Sequence, residues 1–233
     1  MQQATPLIRG TLIRRYKRFL ADVALDSGTE LTVHCPNPGA MLGMKDPGIE
    51  VWLSKSDNPK RKLSHTWELA HVDGGLTGVN TLMANRIGEE GVSDGKIPEL
   101  LGYTNLRREV KYGKNSRVDL LLEGDDRPDC YVEIKNVHLM REAGLAEFPD
   151  SVTARGTKHL GELAAMVEAG YRAVMLYVVQ RGDCDRFTLA EDIDPVYATA
   201  FAEARAQGVE AIAYGCALSV EEIVLNKALT LKV

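Results

Sequence analysis

The chain has 233 residues, enough for one large domain or two small ones, and its 45% hydrophobic and 26% charged content is ordinary for a globular protein. No apolar run approaches the ~20 residues needed to span a bilayer, and the first ten residues, MQQATPLIRG, lack the apolar core of a secretory signal. The net charge of −5 excludes a uniformly basic protein. Charge is unevenly spread, however: residues 1–77 hold ten Lys and Arg against eight Asp and Glu, and the remainder eighteen against twenty-five. Cys35, Cys130, Cys184 and Cys216 are widely scattered, with no CxxC and no Cys/His ligand spacing. They read as reduced thiols of a cytoplasmic protein without a zinc site or a membrane partner.

Residues 7–73 read as all-β. Strands are expected at 7–13, around Phe19, Ala21, Val23 and Leu25, around Leu31, Val33 and Cys35, at 49–53 and at 63–72, with turns at Ser27-Gly28, Cys35-Pro36-Asn37-Pro38-Gly39 and Asp57-Asn58-Pro59. Five short strands in this length fit a small Greek-key barrel of OB type. Arg14, Arg15, Lys17 and Arg18 form one basic cluster and Lys60, Arg61 and Lys62 another, both able to meet phosphates. Tyr16, Phe19, Trp52 and Trp67 are candidates for stacking on bases, with core packing the alternative. Asn37 and Gly39 are candidate ligand contacts that turn geometry alone would also explain.

Asp73-Gly74-Gly75 reads as the boundary between a barrel of residues 1–75 and a second domain of 76–233. A helix capped by Thr81 is expected over 79–87, then a loop over 89–95, a helical turn near 97–101 and a strand over 106–112. Residues 116–137, SRVDLLLEGDDRPDCYVEIKNV, read as two strands joined by a turn rich in Asp, Gly and Pro. A hairpin centred on Asp126 sets Asp119 opposite Glu133, with Lys135 on the same face two residues on. Two adjacent carboxylates repel, and the commonest reason to keep them is a divalent cation such as Mg²⁺ or Mn²⁺. Asp119, Glu133 and the Ile134 carbonyl are the expected ligands, and Lys135 would steer a water or meet phosphate charge. A surface hairpin with an Asp–Lys pair is the plain alternative.

A turn at Phe148-Pro149-Asp150-Ser151 precedes an amphipathic helix over 153–169, with Leu160, Leu163, Ala164 and Val167 on one stripe. Gly170 ends it, and YRAVMLYVVQ, 171–180, is a strand buried on both faces. A helix near 195–207, a strand at 209–214, a short helix over 219–224 and a final strand at 228–233 complete the chain. Near the start of the second helix, Lys158 and Arg155 could hold phosphate, with His159 and Thr153 beside them. The histidines His34, His65, His71 and His138 show no ligand spacing.

From 81 to 180 the expected order is α-β-β-β-α-β, the common core of the PD-(D/E)xK nuclease superfamily, which this segment resembles. Its Asp and Glu-x-Lys would be Asp119, Glu133 and Lys135. Val118 stands where the motif has Pro, and Pro128-Asp129 lies in the turn, too near Glu133. Where some members place an acid on the first helix, this chain has Asn80 and Asn85, with Glu89 and Glu90 beyond. Over its full length the chain resembles the sugar fermentation stimulation protein (SfsA) family, through VHCPNPGAM, VNTLMANR, YVEIKNVHL and FPDSVTARGTKHLGEL. The resemblance implies an α+β protein: an OB-like barrel followed by a nuclease-like domain with a mixed sheet. It further implies nonspecific DNA binding linked to maltose metabolism. Two functions are therefore expected in competition, with a homodimer compatible with either. One is a metal-dependent nuclease with Asp119, Glu133, Lys135 and Lys158 at its centre, gripping DNA through Arg14, Arg15, Lys17, Arg18 and Arg155. The other is a non-catalytic DNA-binding regulator. RNA is open as a third substrate, and without a helix-turn-helix no sequence-specific readout is expected.

Overall fold

The computed structural model of the chain describes residues 1–3, 5–113 and 116–233. Its first six strands are β1 (Ile8–Tyr16), β2 (Leu20–Leu25), β3 (Glu30–His34), β4 (Glu50–Lys55), β5 (His65–Val72) and β6 (Gly75–Gly78). β1 pairs with β2 and β4, β2 with β3, and β4 with β5. A parallel bridge, His34 to Thr66, joins β3 to β5 and closes five strands into the OB barrel. Alternate residues face inward: Leu12, Ala21, Val23, Val33, Val51, Leu53 and Trp67 fill the barrel. Trp67 is thus core, whereas Phe19 is about half exposed and Trp52 packs against the second domain.

The barrel's sheet runs past the expected boundary at residue 75. Asp73 and Gly74 both have positive φ, 53° and 80°, so Asp-Gly here makes a tight reversal of the hairpin type rather than a linker. β6 returns along β5 as a sixth strand, and the first domain ends near Gly78.

The second domain begins with helix α1 (Met83–Ser93), displaced four residues from the expected 79–87 and running through the expected loop. Residues 79–82 are instead spent on the barrel: Val79 N–H bonds Glu68 O at 2.8 Å, and the Thr81 hydroxyl donates to Pro36 O at 2.9 Å rather than capping the helix. Gly88 and Gly91 lie inside α1, where it approaches the sheet closely. A Cβ on Gly88 would sit 2.7 Å from Ile134 Cδ1, and one on Gly91 would overlap Leu225. A 3-10 turn at Pro98–Leu100 leads to β7 (Asn105–Tyr112), β8 (Ser116–Glu123) and β9 (Cys130–Val137).

The short hairpin β10 (Leu139–Glu142) and β11 (Leu145–Phe148) follows, then α2 (Ala154–Glu168), β12 (Arg172–Val179), β13 (Arg186–Leu189), α3 (Pro195–Ala206), β14 (Glu210–Leu218), β15 (Ile223–Ala228) and β16 (Thr230–Leu231). The α-β-β-β-α-β order is present with the β10–β11 hairpin inserted before α2. A main sheet runs β15-β14-β12-β9-β8-β7, with β12 parallel to both neighbours, and a small sheet runs β10-β11-β13-β16. From Ala173 onward β12 is wholly buried, as its apolar run requires. One face of the main sheet packs α2 and α3 through Leu160, Leu163, Tyr197 and Phe201, and the other packs α1 through Ala84 and Ile87. Residues 219–222, expected as helix, form the β14–β15 turn: Ser219 N–H bonds Glu222 O at 2.9 Å and its hydroxyl accepts from Glu221 and Glu222. Among the described residues no helix is long and apolar enough to cross a membrane.

The two domains are joined by buried polar contacts. Asp150 accepts from Met41 N–H of the barrel at 3.0 Å and pairs with His138 Nε2 at 3.2 Å. Gln180 donates to Asn80 O and Asn136 Oδ1 and accepts from Gly78 N–H at its backbone. Arg181, 2% exposed, reaches Asp73 and Asp183. The Asp150 carboxylate lies where a Cβ of Gly39 would be. Gly39→Ala should therefore destabilise the protein by about 1–3 kcal/mol. Thermal or urea unfolding should show most of that loss recovered in Gly39→Ala/Asp150→Ala relative to Asp150→Ala alone. Additive losses would show that the two residues do not oppose each other.

Candidate metal and phosphate site

β8 and β9 pair as Leu120–Val132, Leu121–Tyr131 and Leu122–Cys130, the register that sets Asp119 opposite Glu133. Backbone pairing stops there. The next donor on β9, Ile134 N–H, is taken by Asp119 Oδ2 at 2.7 Å, while Asn85 Nδ2 of α1 bonds Asp119 Oδ1 at 2.6 Å. Asp119 thus stands in the opening between the strands, tied to both β9 and α1. On the α2 side, Lys135 Nζ donates to Glu133 Oε1 at 2.7 Å.

The helix contributes a residue other than the expected one. His159, not Lys158, bonds Glu133, through Nδ1 to Oε1. Arg155 Nε donates to His159 Nε2 at 3.3 Å, which leaves Nδ1 to carry the ring proton and point it at Glu133. Lys158 lies one residue round the helix and reaches Ser116 Oγ at 3.0 Å and Glu162 Oε1 at 3.5 Å. The signal for His159 was available: it lies four residues before Leu163 on the apolar stripe, and a polar side chain buried to 3% must find a polar partner.

The charges are strongly biased. Burial pushes the Asp119 carboxyl up, the nearby Glu133 charge pushes it further, and the Ile134 N–H, Lys135 and Asn85 only partly offset this, so it titrates at about 6. Burial also raises Glu133, but the hydrogen bond from His159 and the charge of Lys135 outweigh it and hold Glu133 below the usual carboxylate range. Glu133 Oε2 is buried and has no hydrogen-bond partner among the described residues. A buried carboxylate oxygen left without a donor, beside a second acid that resists ionising, is a pair short of positive charge. That is what a divalent cation supplies, so the donor set fits one. Among the described residues no three His, Cys, Asp or Glu side chains gather closely enough to hold a metal. A cation here would draw remaining oxygens from water or phosphate, the usual mode for Mg²⁺.

The barrel's basic cluster is largely engaged. Arg14 pairs with Asp22 at 2.8 Å and lies over the Tyr16 ring. Arg15, expected to face nucleic acid, turns inward and donates to the carbonyls of Asn37 (2.8 Å) and Gly39 (3.0 Å), and Arg18 donates to Pro38 O. These guanidiniums hold the loop that Asp150 docks against. Lys17 remains exposed at the β1–β2 tip. Arg155, by contrast, lies beside the acids, bonded to His159.

Residues 13–79 match the SfsA N-terminal OB domain and residues 82–222 the sugar fermentation stimulation protein RE domain. The chain belongs to the sugar fermentation stimulation protein family. Family members designated sugar fermentation stimulation protein homologs include one from Maricaulis maris, 58% identical over 97% of both chains. Another, from Paramagnetospirillum magneticum, is 59% identical over 99% of this chain and 98% of its own. The solved structure of Pyrococcus furiosus SfsA in complex with Ca²⁺ superposes with a TM-score of 0.90 at 25% identity, covering 100% of this chain and 98% of that one.

The raised Asp119 value has a stability consequence. The folded protein binds this proton more tightly than the unfolded chain, so metal-free stability falls as pH rises from 3.8 through about 6. Asp119→Asn keeps the side chain's size, and the Asn85 amide can turn to pair with it. The variant should be more stable than the parent at pH 8 by on the order of 1–3 kcal/mol, with the gain gone near pH 4. Chemical unfolding at the two pH values reads this, and a variant less stable at pH 8 would refute the buried-charge account.

Proposed function

We propose that this protein is a divalent-metal-dependent phosphodiesterase acting on nucleic acid, with DNA the favoured substrate. The observation that carries the reading is the Asp119–Glu133 pair, with one carboxylate oxygen buried and unpartnered and Lys135 against it. Asp119, Glu133 and the Ile134 carbonyl would hold Mg²⁺ or Mn²⁺, which supplies Lewis acidity at a phosphodiester. Support also comes from the Pyrococcus furiosus relative, whose structure was solved with Ca²⁺, a hard cation that takes oxygen ligands. Asn85 and the Ile134 N–H aim Asp119. His159 and Lys135 hold Oε1 of Glu133, which leaves Oε2 for the cation. Lys135 gives an ammonium where it can orient a water or meet charge building on a phosphate oxygen. The barrel and the basic residues around α2 would track the backbone, without reading bases.

Purified protein should cleave DNA with Mn²⁺ or Mg²⁺ and not with EDTA. Asp119→Ala and Lys135→Ala should each lose at least about 100-fold in cleavage while still binding DNA. His159→Leu should weaken Mn²⁺ binding by roughly 10–100-fold, with His159→Asn closer to the parent. DNA binding without cleavage under any metal would favour the regulator reading, to which the small ligand count also lends weight.

Binding should weaken linearly in log affinity against log salt. Lys17→Ala should flatten the slope by about one unit if Lys17 meets a phosphate. Arg15→Ala should lower the melting temperature, because its bonds hold the 37–39 loop. A stable Arg15→Ala protein with a flattened slope would return that arginine to the interface.

A further inference from the structure

Beside the Asp119–Glu133 pair, a cavity of about 350 Å³ is lined by Glu109, Ser116, Arg117, Arg155, Lys158 and His159. It shares Ser116 and Arg117 with a second cavity of about 390 Å³ bounded by Lys111, Tyr112 and Gly113. Among the described residues, three cationic side chains line the first cavity against one acid, Glu109. Several arginines of this chain are neutralised at home: Arg107 by Glu123, Arg108 by Glu89, Arg141 by Glu147 and Asp192, Arg172 by Glu210. Arg117 differs, since its side chain makes no hydrogen bond or ion pair among the described residues. Arg155 has one hydrogen bond, through Nε to His159, which leaves the outer edge of its guanidinium facing the cavity it lines. Lys158 is anchored to Ser116 Oγ and Glu162, so its ammonium is fixed in place.

The β7–β8 register is unbroken from Asn105–Glu123 to Tyr112–Ser116, but Glu109, which falls opposite Asp119, drops out of the pairing and has φ of 51°. A left-handed backbone at a non-glycine residue in mid-strand is costly and re-aims the side chain. That local twist accompanies a single carboxylate beside a wall of cations.

We propose that this cavity is a pocket for the terminal phosphate of a nucleic-acid strand, placing the strand end next to the metal-binding acids. The inference rests on the phosphodiesterase reading for its substrate. A backbone phosphodiester carries one negative charge, whereas a terminal phosphomonoester carries close to two at neutral pH and three outward oxygens. Two guanidinium forks and an ammonium match the latter in charge and in donors. Glu109 makes no ion pair with the three cations among the described residues, and its charge opposes any anion in the cavity, a dianion most of all.

The test is fluorescence anisotropy with one internally labelled oligonucleotide in three forms: 5′-phosphorylated, 3′-phosphorylated and without terminal phosphate, in EDTA so that nothing is cut. One phosphorylated form should bind at least roughly fivefold tighter than the unphosphorylated one, the gain expected of a charge-assisted contact. Inorganic phosphate should compete away that excess and leave the remaining affinity. Arg117→Gln, at an exposed position, should bring the ratio towards one, and Glu109→Gln should raise it. Equal binding of all three forms, or a ratio that ignores both substitutions, overturns the pocket. If no metal supports cleavage but the end preference follows these variants, the phosphodiesterase reading falls and the pocket stands. If cleavage is robust and the ends bind alike, the pocket alone falls.

Discussion

The site depends on keeping one buried carboxylate charged. Glu133 is 2% exposed, and desolvation by itself works against its charged form. His159 and Lys135 reverse that by donating to the same oxygen, which leaves the other oxygen bare. Asp119, across the hairpin, feels that charge and responds by holding its proton more tightly. The two acids therefore sit in opposite conditions within one opening of the sheet. One is committed to the anion and the other is poised near neutrality. Such a pair stores unfavourable electrostatics that a bound cation relieves, and it is a cost to the metal-free fold.

The remaining architecture steadies that opening. α1 lies tight on the sheet because glycines at 88 and 91 allow it, which brings Asn85 within reach of Asp119. α2 is capped by Thr153, whose hydroxyl accepts from Gly156 N–H, and Asp194 bonds the Thr153 N–H at 2.7 Å. His159 and Arg155 are thereby held at a defined height above β9. At the end of β9 and β12 the chain meets the barrel through Asp150, His138, Gln180 and Arg181. A buried network of this kind fixes orientation more than it adds stability, since each group gives up hydration to join it. The barrel's arginines belong to this junction: Arg15 and Arg18 brace the loop that Asp150 meets. Exposed Lys17 and the cations around α2 are left to face a ligand.

Much of this was legible in the residues. The hairpin register followed from centring the turn on Asp126, and strand alternation then brought Asp119, Glu133 and Lys135 together on paper. The amphipathic stripe of α2 and the buried run of β12 were equally plain, because their periods are properties of the chain itself. What misled was chemistry with two uses. Asp73-Gly74 is both a linker signal and a hairpin turn. Gly88 and Gly91 break helices in isolation but permit close packing when a sheet lies beneath. Ser219-Val220-Glu221-Glu222 can open a helix or, as here, reverse a strand. Arg14 and Arg15 looked alike in the sequence, yet one pairs on the surface and the other is turned into a loop.

By itself, then, the sequence determined the barrel, the α-β-β-β-α-β order and the three polar residues of the central hairpin, because each depends on spacing along the strand or helix. Only the tertiary structure decided that His159 rather than Lys158 meets Glu133, that Arg15 braces a loop, and that Arg117 and Arg155 share a cavity with Glu109. Those outcomes turn on which distant segment lies opposite. A rotation of one residue on α2, about 100°, separates a side chain aimed at the sheet from one aimed at the β7–β8 hairpin. That angle is set by how the helix packs, and no local pattern encodes it.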